Sequence, residues 1–316
     1  MNKSPIFQYL QNLIRYRLSL LICCLILVQA CSTTQNTASG QFQAKGAKFG
    51  LLLMAHGGTE EWNEAVQNAT TEISDKYPVE IAFGMADAGS IEESVRRLEG
   101  LGVEDVGVVR MFVSGESWYE RTQQILGILE GAPSKGANET PPNTFMPMGF
   151  WKIETDIKFH LSEDGLADAT EMDEVIVSRI KGLIRQPERE VAIVIAHGTG
   201  SDEEDSRWVK KITQRTETAK LTLGLRDIKV FTLREDWFAK RGEAESNIRT
   251  YMESVINDGL NPLVIPFRVH GFGPYARVLE GLDYRADKLG LLPHENVNLW
   301  VANQLELLRQ TAQRAN

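Results

Sequence analysis

The sequence predicts an α/β protein built as two similar lobes, each a doubly wound parallel sheet, related by internal duplication. Three observations predict it. Short apolar runs alternate with helical patterns along most of the chain, which calls for parallel strands joined by right-handed crossover helices. An apolar run ending in His-Gly occurs twice, as Ala55-His56-Gly57 and Ala196-His197-Gly198, an internal repeat of about 140 residues. Residues 109–115 and 265–271 correspond as the later apolar strand of each half.

The first strand is Phe49–Ala55, stopping at His56-Gly57-Gly58; its unbroken apolar character suits a parallel strand covered on both faces. A helix over 59–76 and a strand over 79–83 follow. Ser90, with Glu93 three residues on, reads as a capping box before Val95 and Leu98, and Gly102 ends that helix. Residues 106–113 form a third strand and 117–129 a helix. The segment 131–143, rich in Pro, Gly, Ser and Asn, marks an exposed loop or a domain boundary. Beyond it come a strand at 145–153 and a helix at 166–184. The pattern then restarts with strand 190–196, helix 208–225, strand 228–233, helix 243–256 and strand 262–269, which runs into His270-Gly271. The lobes are therefore expected at 46–143 and 144–316.

The start of the chain reads as a leader rather than as fold. Lys3, Arg15 and Arg17 precede the apolar run 18–28, which is short of the roughly 20 residues a spanning helix needs. Val28-Gln-Ala-Cys31 resembles the lipobox of bacterial lipoproteins. That resemblance implies a signal peptide over 1–30, cleavage before Cys31, diacylglycerol on its sulfur and a periplasm-facing place in the cell envelope; Ser32 leans toward the outer membrane. Residues 31–45 would be the flexible tether. The alternatives are an ordinary cleaved signal peptide, or an uncleaved anchor with Cys31 incidental. All three cysteines (Cys23, Cys24, Cys31) lie in this leader, so the expected mature domain holds no disulfide. Acidic residues outnumber basic ones 43 to 34, for a net charge of −9, and the first thirty residues contribute only basic ones. Such a balance argues against nucleic acid and anionic lipid surfaces as partners and leaves metal cations compatible.

Ligands of open parallel sheets bind beyond the carboxyl ends of the strands. His56, Glu116, His197 and His270 fall at or just after such ends, so they are expected on the same edge of their sheets. A neutral imidazole can bind a metal through one nitrogen or accept a proton, and a His/Glu pair suits Fe, Co or Zn. Met111, Phe112, Trp118, Phe267, Phe272 and Tyr275 offer surfaces for a flat ring, although such residues are more often core. Against the functional reading, Glu116 could simply satisfy a helix N-terminus, and 202–205 reads as a solvated helix start. No Gly-Lys-Ser/Thr phosphate loop occurs, so no nucleotide is expected.

Taken in order, Leu51-Leu-Leu-Met-Ala-His56-Gly57, then Phe83, the Ser90-Ile-Glu-Glu-Ser-Val stretch with Leu98 and Gly102, and Val108-Val-Arg-Met-Phe-Val-Ser-Gly-Glu116-Ser resemble the class II tetrapyrrole chelatases, the sirohydrochlorin cobalto- and ferrochelatases. Residues 46–129 carry the resemblance, and 190–282 carry a diverged second copy. It implies insertion of Co2+ or Fe2+ (Zn2+ or Ni2+ being further candidates) into a sirohydrochlorin-like tetrapyrrole without ATP. His56 would be metal ligand and proton acceptor, Glu116 co-ligand or second base, and His197 and His270 further ligands. Two departures stand out: Arg110 where the family usually has Pro, and Glu116 where it has His. Export also sits badly with a cytosolic biosynthetic step. The competing reading is a non-catalytic envelope protein that binds or carries metal or haem; a third is a scaffold serving as an interaction module.

Overall fold

Seven residues without a polar side chain, Phe49–Ala55, form β1, the inner strand of a four-stranded parallel sheet. The computed structural model describes residues 48–136 and 148–315, so the leader, Cys31 and the tether lie outside the described residues. β1 pairs with β2 (Val79–Phe83) and β3 (Asp105–Arg110), and β3 with β4 (Lys158–Leu161), in the order β2-β1-β3-β4. The second sheet joins β5 (Glu190–Ala196), β6 (Asp227–Thr232), β7 (Asn261–Phe267) and β8 (Arg285–Ala286) in the order β6-β5-β7-β8, the same topology. Register repeats as well: Leu53 faces Val109 and Val194 faces Ile265, each three residues before its His-Gly. Arg110 and Pro266 therefore hold equivalent positions.

In the first half, the helices are α1 (Glu60–Asn68), α2 (Thr71–Ser74), α3 (Ala88–Gly100) and α4 (Tyr119–Ile125). Then come α5 (Glu171–Lys181), α6 (Asp202–Thr222), α7 (Phe238–Asn257), α8 (Tyr275–Val278) and α9 (Glu295–Ala315). Side chains alternate across a strand, and both faces of the inner strands are apolar, so each sheet feeds two cores. Leu52 and Met54 join Ile91, Val95 and Leu98 of α3 in an outer core, while Val191, Ile193 and Ile195 join Ile248 and Met252 of α7 in another. The opposite faces do not form separate cores. Leu51 and Leu53 of β1 and Ala192 and Val194 of β5 belong to one continuous cluster with Val175 of α5, Ile212 of α6 and Trp300 of α9.

Differences from the sequence expectation follow from packing. No strand occupies 148–157. Phe150, Trp151 and Ile153 plug into the outer core instead, with Trp151 Nε1 donating to Glu92 at 2.9 Å. The fourth strand comes later, at 158–161, and completes the first sheet, which thus extends past the boundary expected at 143. α9, from the far end of the chain, packs on β3 and on α5; a Cβ on Gly107 of β3 would lie 2.9 Å from Leu305. The halves are interlocked rather than strung in series. The cap of α3 is Asp87, whose carboxylate accepts from Ser90 N at 2.8 Å, so the capping box expected at Ser90 is absent. The single helix expected over 59–76 is broken at Ala69–Thr70 into α1 and α2.

Arg110 explains its own departure from proline. It is fully buried, and its guanidinium donates to the carbonyls of Gly115 and Ser117 at 2.8 Å, Ser162 at 3.0 Å and Glu163 at 3.2 Å. The group also lies over the Tyr119 ring, 4.6 Å from its centroid. Burial pulls its pKa down to about 10, opposed by Tyr119 and nearby carboxylates, so it stays charged at neutral pH. One side chain thus satisfies carbonyls of two loops that no strand can reach. Arg110→Met is expected to lower stability by about 3 kcal/mol, read as a lower urea midpoint; an unchanged midpoint would show that water replaces the guanidinium at no cost.

Candidate functional site

The two His-Gly turns are geometrically alike. Gly57 and Gly198 have φ of +82° and +81°, a region that glycine enters without penalty. The imidazole Nδ1 of His56 lies 2.7 Å from Gly57 O, and that of His197 2.8 Å from Gly198 O. A carbonyl only accepts, so Nδ1 carries the proton and Nε2 is left for chemistry. A tryptophan stands edge-on to each ring, Trp62 at 6.5 Å from His56 and Trp237 at 5.9 Å from His197.

The two histidines differ in what meets Nε2. His197 Nε2 lies 3.1 Å from Asp236 Oδ2. Burial pushes His197 down, but the hydrogen bond to Asp236 and the charge of Glu235 outweigh it, and its pKa ends raised. Asp236 is held below its usual value by that hydrogen bond, against burial, and by the charges of His197, His56 and Arg268. Asp236 has a counterpart in the first lobe. Register supplies the reason: Ala55 pairs with Phe83 and Ala196 with Thr232, so Asp87 and Asp236, each four residues further on, are counterparts. In the first lobe that aspartate is spent, with its oxygens accepting from Ser90 N at 2.8 Å and Gly149 N at 2.5 Å. Asp236 lies at a strand end, the position that singled out the histidines, yet sequence reasoning missed it.

Glu116 sits on the first rim but belongs to a different set of contacts. Arg207 of α6 holds it through Nε at 2.9 Å and a second nitrogen at 2.5 Å, with Lys211 Nζ at 3.9 Å. Arg207 keeps its pKa low. His270 lies three residues past the end of β7. Among the described residues no three His, Cys, Asp or Glu side chains are grouped to hold a metal ion. The expected set of His56, Glu116, His197 and His270 is therefore not assembled: a guanidinium already neutralises Glu116, and His197 meets Asp236 instead.

Strain collects at the same rims. Met85, Trp118 and Arg234 have φ of 61°, 58° and 57°, costly for side chains of this size, and Met85 and Arg234 are counterparts, each two residues past Phe83 and Thr232. Buried Arg234 donates to the carbonyls of Thr199 and Gly200, steadying the loop after His197. Phe238, next to Trp237, is 90% exposed. A polar cavity of about 360 Å³ lies beside β6, lined by Asp202, Arg234 and Lys240 among others, and includes none of the four expected ligands.

The His197–Asp236 pair makes a signed pH prediction. Its contribution requires a protonated His197, so it is full below the usual value of 6.5 and is lost as pH rises through the raised folded value. It also requires an ionised Asp236, so it fades as pH falls through a value below 3.8. The stability difference between wild type and His197→Gln is expected to be largest between those limits and to shrink on the alkaline side in urea titrations. A constant difference across that range would contradict the pairing.

Comparison with known proteins bears on the fold. No protein-family profile matches the sequence, and no curated protein matches it. Among solved structures, SirB from Bacillus subtilis with Fe3+ superposes with a TM-score of 0.60 at 12% identity, covering 84% of this chain and 98% of that one. The sirohydrochlorin chelatase SirB from Bacillus subtilis subspecies spizizenii, in complex with cobalt, gives 0.55 at 11% identity, covering 84% and 97%. At such identities the likeness concerns architecture: this chain has a chelatase-like fold of two similar α/β lobes.

Proposed function

We propose that this protein handles a divalent metal and a tetrapyrrole at the facing strand rims, and that it inserts the metal, Co2+ or Fe2+, into a sirohydrochlorin-like ring. The observation that carries the reading is the pair of equivalent His-Gly turns at the strand ends of the two lobes, with His197 Nε2 3.1 Å from Asp236. The chelatase-like fold supports it.

In metal insertion a divalent ion enters the ring and two pyrrole protons leave. His56 Nε2, with its Nδ1 proton committed to Gly57 O, can take the ion from water or accept one of those protons, though not both at once. Asp236 offers a carboxylate to a partly hydrated ion, and His197 holds that carboxylate in place. A loose set of ligands completed by water suits an ion that must move on, because a closed coordination shell would trap it. Exposed Trp237 and Phe238 give a flat ring an apolar surface beside these groups. The core shared by both sheets favours a fixed site over wide hinge closure.

We also propose that the chain is exported and held at the membrane by lipid on Cys31. Cys31→Ser is expected to abolish incorporation of labelled palmitate and to release the protein from membranes. Retention of the label would refute the anchor.

For the chemistry, protein carrying residues 46–316 is mixed with sirohydrochlorin and Co2+. The tetrapyrrole spectrum is expected to change faster than in a protein-free control, with His56→Ala slower by about 10²-fold and Asp236→Asn also slower. Stoichiometric retention of metal or haem without turnover would instead select the carrier. Acceleration that survives in His56→Ala would sink the role given to that residue.

A further inference from the structure

We propose that Arg207, with Lys211 fixed beside it, is the carboxylate-recognising group of this site, and that Glu116 occupies Arg207 in the ligand-free protein as an internal substitute for a ligand's carboxylate. The inference rests on the tetrapyrrole reading and sharpens it: the macrocycle taken would be one with ionised carboxylate side arms.

The pair belongs to a basic stripe. Arg207, Lys211 and Arg215 recur every four residues on one face of α6, and each meets an acid from the first lobe or α5. Arg207 meets Glu116 at 2.5 Å, Lys211 meets Asp168 at 2.7 Å, and Arg215 meets Asp173 at 3.2 Å. Side-chain exposure of the three cations falls from 50% to 30% to 12% along the stripe. Its inner end is thus an enclosed ion pair, costly to open. Its outer end is an exposed one, worth about 0–1 kcal/mol.

That gradient decides which contact can be exchanged. Asp168 is fixed, its second oxygen accepting from Gly165 N at 2.9 Å and Gly115 N at 3.4 Å, so Lys211 stays where it is. Glu116 is different. The Gly115 and Ser117 carbonyls on either side of it are pinned by Arg110, so its backbone stays while only its side chain need swing away. Arg207 would then be open to another carboxylate offering the same two parallel hydrogen bonds, and the trade of one carboxylate for another is nearly neutral.

Location and charge agree with a substrate role. Glu116 follows β3, the neighbour of β1, so the pair flanks the rim that carries His56. With a net charge of −9 the chain repels polyanions generally, and a site for one has to be made locally by cations whose acidic partner can leave. A planar guanidinium also matches a planar carboxylate, the group that occupies it here.

Two porphyrins with the same ring test this: uroporphyrin, which carries carboxylate arms, and a tetracationic N-methylpyridyl porphyrin. Binding to protein carrying residues 46–316 is followed by absorbance and fluorescence, at low and at physiological salt. Glu116→Gln is expected to bind uroporphyrin several-fold more tightly and Arg207→Ala about tenfold more weakly, both effects shrinking with salt. The cationic porphyrin should show neither change. Equal uroporphyrin affinity in wild type and both variants would overturn the inference while leaving the tetrapyrrole reading standing. Arg207→Ala weakening both porphyrins alike would also overturn it, by reducing Arg207 to a brace between lobes. If wild type binds neither porphyrin, the tetrapyrrole reading falls and this inference with it.

Discussion

The inner faces of both sheets share one apolar core, and the geometry of the rims depends on that sharing. Leu51 and Leu53 on one side and Ala192 and Val194 on the other pack into the same cluster with α5, α6 and α9. Each buried aliphatic side chain there is worth about 1.5–3 kcal/mol relative to exposure, so sliding one lobe past the other would forfeit many such terms at once. Because the lobes are fixed in this way, an arginine of α6 can hold a carboxylate that follows β3.

Above that core the loops are organised by buried guanidinium groups. Parallel strands end at one rim with carbonyls that no neighbouring strand satisfies, and Arg110 in the first lobe and Arg234 in the second supply the donors. Their positions are not duplicates: Arg110 ends β3, whereas Arg234 follows β6. The two lobes solved the same hydrogen-bonding problem by different routes after sharing one topology. Pro266, the counterpart of Arg110, shows how far the halves have diverged in detail while the register held.

The same divergence explains an asymmetric site. Both lobes keep the His-Gly turn and an aspartate four residues beyond the last paired residue of the edge strand. In the first lobe that aspartate caps α3; in the second it binds an imidazole. Glu116 has been drawn into the ionic seam between lobes. The second lobe thus pairs its imidazole with an acidic group, while the acidic group after β3 of the first lobe pairs with a guanidinium.

The sequence alone determined the fold class, the duplication, the inner strands and the rim on which the histidines sit. These follow from local pattern: a short unbroken apolar run between turn residues fits a strand buried on both faces, and the first polar residue after it marks its end. It did not determine that 148–157 fills a core instead of forming a strand, that α9 covers the first sheet, or that Glu116 meets Arg207 while Asp236 meets His197. Those outcomes depend on which surfaces meet across the shared core. A carboxylate's partner is set by three-dimensional proximity, and no periodicity along the chain records whether an arginine ninety-one residues away will arrive before a histidine does.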